Sequence, residues 1–252
     1  MVIIDADNHI GEPDKNDRAQ QSSEEIIDKM NQTCIDKAVI FPFNETKLGI
    51  SFSLANNYVA AAVKKYPDRL IGFARLDPNY GEKALLELER AVNKLGLMGV
   101  KLHPSSRKFF LDKLYVLQII EKASKLGIPV VFDSGKPLSP PEKIGVLAEK
   151  VPNAKLIMAH MQGPKYLEIP KKLGNVYLGT TGMFDLSKLP KNPMKVRRRE
   201  ADRRFRLALH RSGARDQKIR LDSQNKITRK SLDSRRKREE NFRVVDNWRL
   251  MK

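Results

Sequence analysis

Residues 94–104 read Lys94-Leu95-Gly96-Leu97-Met98-Gly99-Val100-Lys101-Leu102-His103-Pro104. The first three close a helix. Glycine suits the left-handed residue that follows a helix, and lysine suits the negative end of its dipole. Met98–His103 then reads as a strand that ends in an imidazole. The same Lys-Leu-Gly word recurs at Lys125-Leu126-Gly127 and Lys172-Leu173-Gly174, and each time a new strand follows within a few residues.

Working outward, Glu82–Leu95 carries Leu85, Leu88, Ala91, Val92 and Leu95 as one apolar stripe at helical spacing, and Leu111–Leu126 repeats the pattern through Leu114, Leu117, Ile120 and Ala123. Between such segments lie near-continuous apolar runs at Val2–Asp7, Lys37–Pro42, Leu70–Leu76, Met98–His103, Pro129–Asp133, Lys155–His160 and Asn175–Thr180. That is how strands buried on both faces of a parallel sheet read. Their spacing of roughly 30 residues is the length of one βα unit. Seven recognisable units predict an α/β fold of the (β/α)8 TIM-barrel kind, with the eighth unit atypical or missing. A doubly wound open sheet is the alternative, weakened by the lack of a Gly-rich phosphate loop after the first strand. The eighth strand is due near residues 200–210, where Arg203-Arg204-Phe205-Arg206-Leu207-Ala208-Leu209-His210 makes a poor buried strand.

The length of 252 residues suits one barrel, which typically needs about 250. No apolar run approaches the ~20 residues that cross a bilayer, and Met1-Val2-Ile3-Ile4-Asp5 has neither a basic nor an apolar signal region. A single cysteine, Cys34, excludes an internal disulfide and fits the cytoplasm. The net charge of +18 is unevenly placed: residues 195–252 hold 21 Lys and Arg against 8 Asp and Glu, a net of +13. That stretch has one glycine, Gly213, and no proline, whereas residues 1–194 hold the other 13 glycines and all 14 prolines. The chain therefore divides into a barrel over 1–194 and a basic, atypical tail over 195–252. The tail reads as a disordered arm for nucleic acid, as a solvated helical appendage, or as a frame-shifted stretch foreign to the fold. The last is favoured, because AGA and AGG arginine codons become Glu or Gly codons when read one base forward.

Functional groups of a parallel barrel sit at the C-terminal ends of its strands. Three of the four histidines, His9, His103 and His160, fall there, and the fourth, His210, is in the tail. Asp7 and His9 are two apart, so on a strand both point the same way. A carboxylate and an imidazole at a barrel mouth suit Zn²⁺, Mn²⁺ or Fe²⁺; a capped strand end is the structural alternative. Lys101 and His103 also share a face. They read as an electrophilic pair for a substrate carboxylate, or Lys101 as a structural ion pair with Asp7 or Asp133. Asp133 reads as a third metal ligand or as an acceptor for the Ser134-Gly135 turn. His160 reads as a general acid or base, against a satisfied core histidine.

These words, in this order, resemble the amidohydrolase-related superfamily, in its aminocarboxymuconate-semialdehyde-decarboxylase-like branch. The matching pieces are Ile4–Gly11, Gly72–Pro78, Gly99–Pro104, Gly127–Gly135 and Pro152–Gly163, within residues 1 to about 190. The resemblance implies a (β/α)8 barrel whose first strand carries a His-x-His metal pair. A fifth-strand His ligand, a sixth-strand His that acts in catalysis or near the metal, and an Asp after the eighth strand complete that family's site. His9 and His160 match; Asp7 stands for the first histidine, Asp133 for the fifth-strand one, and the eighth-strand Asp has no clear counterpart. The resemblance thus implies a divalent metal on Asp7, His9 and Asp133, catalysis by His160, and substrate binding by Lys101 and His103. Two carboxylates for two imidazoles would shift preference from Zn toward Mn or Mg. The implied function is a metal-dependent hydrolase or non-oxidative decarboxylase of a small organic acid or amide, compatible with a homodimer and with no membrane partner. The alternatives are a catalytically impaired barrel, acting as a pseudoenzyme or binding protein, and nucleic-acid binding through the tail. The latter is disfavoured, since only Phe205, Phe242 and Trp248 are there to stack on bases.

Overall fold

A computed structural model gives the fold and describes residues 3–11, 20–44, 48–179 and 181. The tail over 195–252, the eighth strand expected near 200–210 and His210 lie outside the described residues.

The strands are β1 (Ile4–Ile10), β2 (Lys37–Pro42), β3 (Leu70–Gly72), β4 (Ala74–Arg75), β5 (Val100–Leu102), β6 (Val130–Asp133), β7 (Leu156–Ala159) and β8 (Val176–Leu178). Helices α1 (Ser23–Thr33), α2 (Ser53–Lys65), α3 (Glu82–Asn93), α4 (Pro104–Arg107), α5 (Leu114–Lys125), α6 (Pro141–Lys150) and α7 (Glu168–Lys172) alternate with them. The sequence run Leu70–Leu76 is a single strand position that changes partners. β3 pairs with β2, and β4 pairs with β5. At the switch Phe73 N–H donates to Ile40 O, and Ala74 N–H donates to Gly99 O. The Phe73 ring lies so close to Gly99 that any Cβ there would strike it.

Every pairing between these strands is parallel, and the two sheet orders, β1-β2-β3 and β4-β5-β6-β7-β8, both follow the chain. A doubly wound sheet would reverse its order at a switch point, so that alternative falls. The sheet is also curled. Ile4 of β1 shares one buried cluster with Phe41, Phe73, Val131, Ile157 and Ala159, which come from strands far apart in that order. Two further clusters place Leu88, Val116, Ile119 and Ile120, and Ile26, Met30 and Val59, between the helices and the outer face of the sheet. This is the layering of a (β/α) barrel: side chains fill the axis, and a helical ring packs outside.

Local signals explain the elements. Ser22 caps α1 with a full capping box, its side chain accepting from Glu25 N–H while Glu25 accepts from Ser22 N–H. Gly96 and Gly127 take the left-handed conformation expected after α3 and α5, with φ of +69° and +73°. The third Lys-Leu-Gly word behaves differently. Helix α7 spans only five residues, and its cap Leu173 is already extended, so Gly174 has no left-handed turn to make. Among the described residues no helix is long and apolar enough to cross a membrane.

Candidate active site

β1 runs to Ile10, past the expected end at Asp7, and bulges on the way. Its register with β2 is Asp5 to Ala38 and then Asn8 to Ile40, leaving Ala6 and Asp7 opposite Val39 alone. The Asn8 side-chain amide donates to Val39 O in this gap. Asp7 is buried, and it forms the polar end of a small apolar cavity on the barrel axis lined by Val39, Phe73, Val131, Ile157 and Thr181. His9 is half-buried, stacked on Phe43 at 5.0 Å and edge-on to Phe41 at 4.6 Å. Its Nδ1 lies 3.3 Å from Pro42 O. A carbonyl only accepts, so Nδ1 carries the proton and Nε2 presents a lone pair.

Lys101 projects from the middle of β5 and is 1 % exposed. Its Nζ sits 3.7 Å from Asp7 Oδ1 and 4.7 Å from the centre of the Phe41 ring. His103 follows β5 as the N-cap of α4, and its Nδ1 accepts from Ser106 N–H at 3.2 Å. The proton is therefore on Nε2, which donates to Asp133 Oδ2. Lys136 approaches the same oxygen at 2.9 Å. Asp133 is thus saturated on Oδ2, while Oδ1 faces His160 Nε2 at 3.5 Å.

His160 begins the loop after β7 in a left-handed conformation, φ +73°, and Met161 follows at +45°. Non-glycine residues reach this region at a cost, typically where function demands it. The turn brings His160 Nδ1 within 2.7 Å of Thr181 O. Nδ1–H is the donor, as in His9, and Nε2 is left toward Asp133. The β6 and β7 loops touch through backbone. Ser134 Oγ donates to Ala159 O, and a Cβ on Gly135 would fall 2.5 Å from Gln162 C and 2.6 Å from Gln162 O.

The electrostatics follow from this crowding. Burial alone would raise the Asp7 carboxyl, but the Lys101 ammonium, His9, His160 and a hydrogen bond from Thr181 outweigh it and hold it below the usual range. Asp133 is likewise pulled well below its usual value, against burial, by the His103 hydrogen bond and by the charges of Lys101, His103 and His160. Burial, aided by Arg75 and Lys101 and opposed by Asp7, lowers His9 to about 3. Burial also lowers His103, against the pull of Asp133.

The amidohydrolase family model matches residues 4–222. The chain belongs to the amidohydrolase family. Among amidohydrolases and their structural neighbours, a curated relative is 2-amino-3-carboxymuconate-6-semialdehyde decarboxylase of Dictyostelium discoideum, 28 % identical over 163 residues, 55 % of this chain. The match spans 44 % of that relative, less than half its length. An uncharacterized TIM-barrel protein from Bordetella bronchiseptica superposes with a TM-score of 0.57 at 20 % identity, over 72 % of this chain and 75 % of the other. A dihydroxybenzoic acid decarboxylase from Polaromonas, holding manganese and an inhibitor, gives 0.52 at 20 % identity, over 73 % and 80 %. These neighbours share the fold of this amidohydrolase.

All six residues singled out by sequence, Asp7, His9, Lys101, His103, Asp133 and His160, meet at one end of the barrel. For Lys101 the ion pair with Asp7 is the arrangement observed. Sequence reasoning missed Arg75, Lys136 and Thr181. Arg75 is 2 % exposed, donates to Pro42 O and Ser106 Oγ, and lies 5.1 Å from the Phe52 ring centre. Its signal was a charge inside an apolar strand run. Lys136 and Thr181 lie in loops, where sequence spacing carries no direction.

The donors at this mouth suit a divalent metal. Among the described residues, buried Asp7 Oδ2 and Asp133 Oδ1 have no hydrogen-bond partner. His9 and His160 each tie Nδ1–H to a carbonyl, the arrangement that orients imidazole ligands. Among the described residues no three His, Cys, Asp or Glu side chains already surround one point.

Proposed function

We propose that this amidohydrolase is a metal-dependent hydrolase or non-oxidative decarboxylase of a small organic acid or amide, with the metal on Asp7, His9 and Asp133. The observation that carries this reading is the pair of orphaned carboxylate oxygens, Asp7 Oδ2 and Asp133 Oδ1, buried beside two imidazole lone pairs. Buried carboxylate oxygens left without a hydrogen bond among the described residues are costly, and a divalent cation relieves that cost. The manganese in the Polaromonas neighbour supports the choice of Mn²⁺ for testing. A divalent metal supplies Lewis acidity toward a carbonyl, a carboxylate or a water.

The chain's own groups supply the rest. His160 Nε2 is the basic nitrogen, because Nδ1–H is engaged by Thr181 O. In hydrolysis it takes a proton from water and returns it to the departing nitrogen or oxygen. In decarboxylation it takes a proton from solvent at Nε2 and delivers it to the carbon that has released CO₂. Lys101 adds positive charge beside the bound acid, and His103 orients Asp133 there through its Nε2–H. Lys136, with a side chain 39 % exposed, is an outer cation that an incoming carboxylate would meet. The strained turn at His160 and Met161 aims the imidazole at the reaction centre.

The test is a screen of small unsaturated and aromatic acids, and their amides, for CO₂ release or C–N cleavage by wild type and His160→Asn. A loss in kcat of about 10²–10⁴-fold is expected for a proton-transfer residue. A variant within about tenfold of wild type removes His160 from the mechanism. Elemental mass spectrometry after growth with added metal tests the ligand set independently. Wild type retaining metal, and Asp7→Ala and Asp133→Ala losing it, is the expected pattern.

A further inference from the structure

Lys is almost never fully buried unless paired, yet the pairing of Lys101 is incomplete. Its Nζ is 3.7 Å from Asp7 Oδ1, beyond hydrogen-bond length. The other oxygen of Asp7 has no partner among the described residues. The two are held by charge without being saturated by hydrogen bonds. The same ammonium also stabilises the Asp133 carboxylate. One internal cation therefore stands beside buried carboxylates that would hold a divalent metal. Among the described residues, half-buried His9 and His160 also act on Asp7 by charge, and neither reaches it within salt-bridge distance. The Phe41 ring, 4.7 Å from Nζ, offers the ammonium a second favourable contact that does not depend on Asp7. The flexible four-carbon stem lets the charge move.

Resting on the metal reading above, we propose that Lys101 is a resident counter-ion. It balances Asp7 and Asp133 while no metal is bound, withdraws from Asp7 when a divalent metal enters, and thereby weakens metal binding while keeping the metal-free barrel folded. A second cation beside the metal would repel it, so the ammonium and the metal compete for one pair of carboxylates.

The test is calorimetric titration of Mn²⁺ into the full chain as wild type, Lys101→Met and Lys101→Gln, with thermal melts in chelator and in saturating Mn²⁺. Both variants are expected to bind Mn²⁺ at least tenfold more tightly than wild type, to melt lower in chelator, and to gain more from the metal. Equal or weaker binding by the variants overturns the counter-ion role and leaves the metal reading standing. No binding by wild type or variants overturns both. Where a variant fails to fold, a crystal structure of wild type with Mn²⁺ supplies the second readout. Lys101 Nζ withdrawn from both Asp7 oxygens supports the proposal, and Nζ unmoved beside a metal-bound Asp7 overturns it.

Discussion

Replacing Gly135 with alanine probes the contact that sets Asp133 against His160. Gly135 has φ +83°, and an added Cβ would lie 2.5 Å from Gln162 C and 2.6 Å from Gln162 O. Those are backbone atoms of the loop that carries His160, so no side chain can rotate aside. The left-handed backbone costs an alanine about 1–2 kcal/mol, and forcing the two loops apart adds about 1–3 kcal/mol. Gly127 is the internal control. Its φ of +73° imposes similar backbone strain, but nothing lies within 4 Å of its would-be Cβ. Urea unfolding at neutral pH should therefore show Gly135→Ala less stable than Gly127→Ala by about 1–3 kcal/mol. Gly135→Ala should also lower kcat, because His160 moves with its loop, whereas Gly127→Ala should not. Equal stability losses, within about 0.5 kcal/mol, would falsify the claim that backbone contact between these loops positions the site.

Other consequences are equally direct. His9 titrates at about 3 in the fold against about 6.5 in an unfolded chain. Its contribution is thus complete above pH ~6.5 and is lost as pH falls toward 3, at about 1.4 kcal/mol per pH unit. Between pH 6.5 and 5 the metal-free wild type should lose about 2 kcal/mol more than His9→Gln in urea unfolding; parallel curves would show that burial does not hold His9 neutral. Asn56 is fully buried, donates to Arg75 O and Glu87 Oε1, and accepts from Arg75 N–H. Asn56→Ala strands the buried N–H and O of Arg75, while Glu87 Oε1 keeps its bond from Arg90, and should cost about 2–4 kcal/mol, read from the denaturant midpoint. Ser22→Ala removes the capping box of α1 and should cost about 1 kcal/mol; a midpoint unchanged from wild type would remove the cap from the account of that helix.

The fold was legible because buried apolar runs recur about every 30 residues and helical stripes separate them. The Lys-Leu-Gly words at 94–96 and 125–127 end their helices as read, since an αL residue and a new buried strand leave few alternatives. What the sequence hid was local geometry imposed by neighbours. The partner change at Phe73 depends on Gly99 leaving room for a ring, a contact between residues on different strands. The β1 bulge is equally silent in sequence, although it decides how Asp7 meets the axis. Arg75 sat within a quoted motif and still escaped notice, because a buried guanidinium is explained by acceptors from distant parts of the chain, Pro42 O and Ser106 Oγ among them.

The three strand-end histidines make the same point in chemical terms, since sequence position treats them alike and hydrogen bonding does not. His103 accepts from a backbone N–H through Nδ1 and so must offer its proton at Nε2, where Asp133 takes it. It can orient and saturate a carboxylate, but it has no lone pair left for a metal or for accepting a proton. His9 and His160 make the opposite bond, Nδ1–H to a carbonyl, and so keep Nε2 basic. For neutral His160 that lone pair faces an oxygen lone pair of Asp133 at 3.5 Å, an arrangement that repels unless a proton or a metal cation stands between them. The same two atoms therefore mark where positive charge is wanted. The roles assigned to His160 and His103 follow from which nitrogen each backbone neighbour engages.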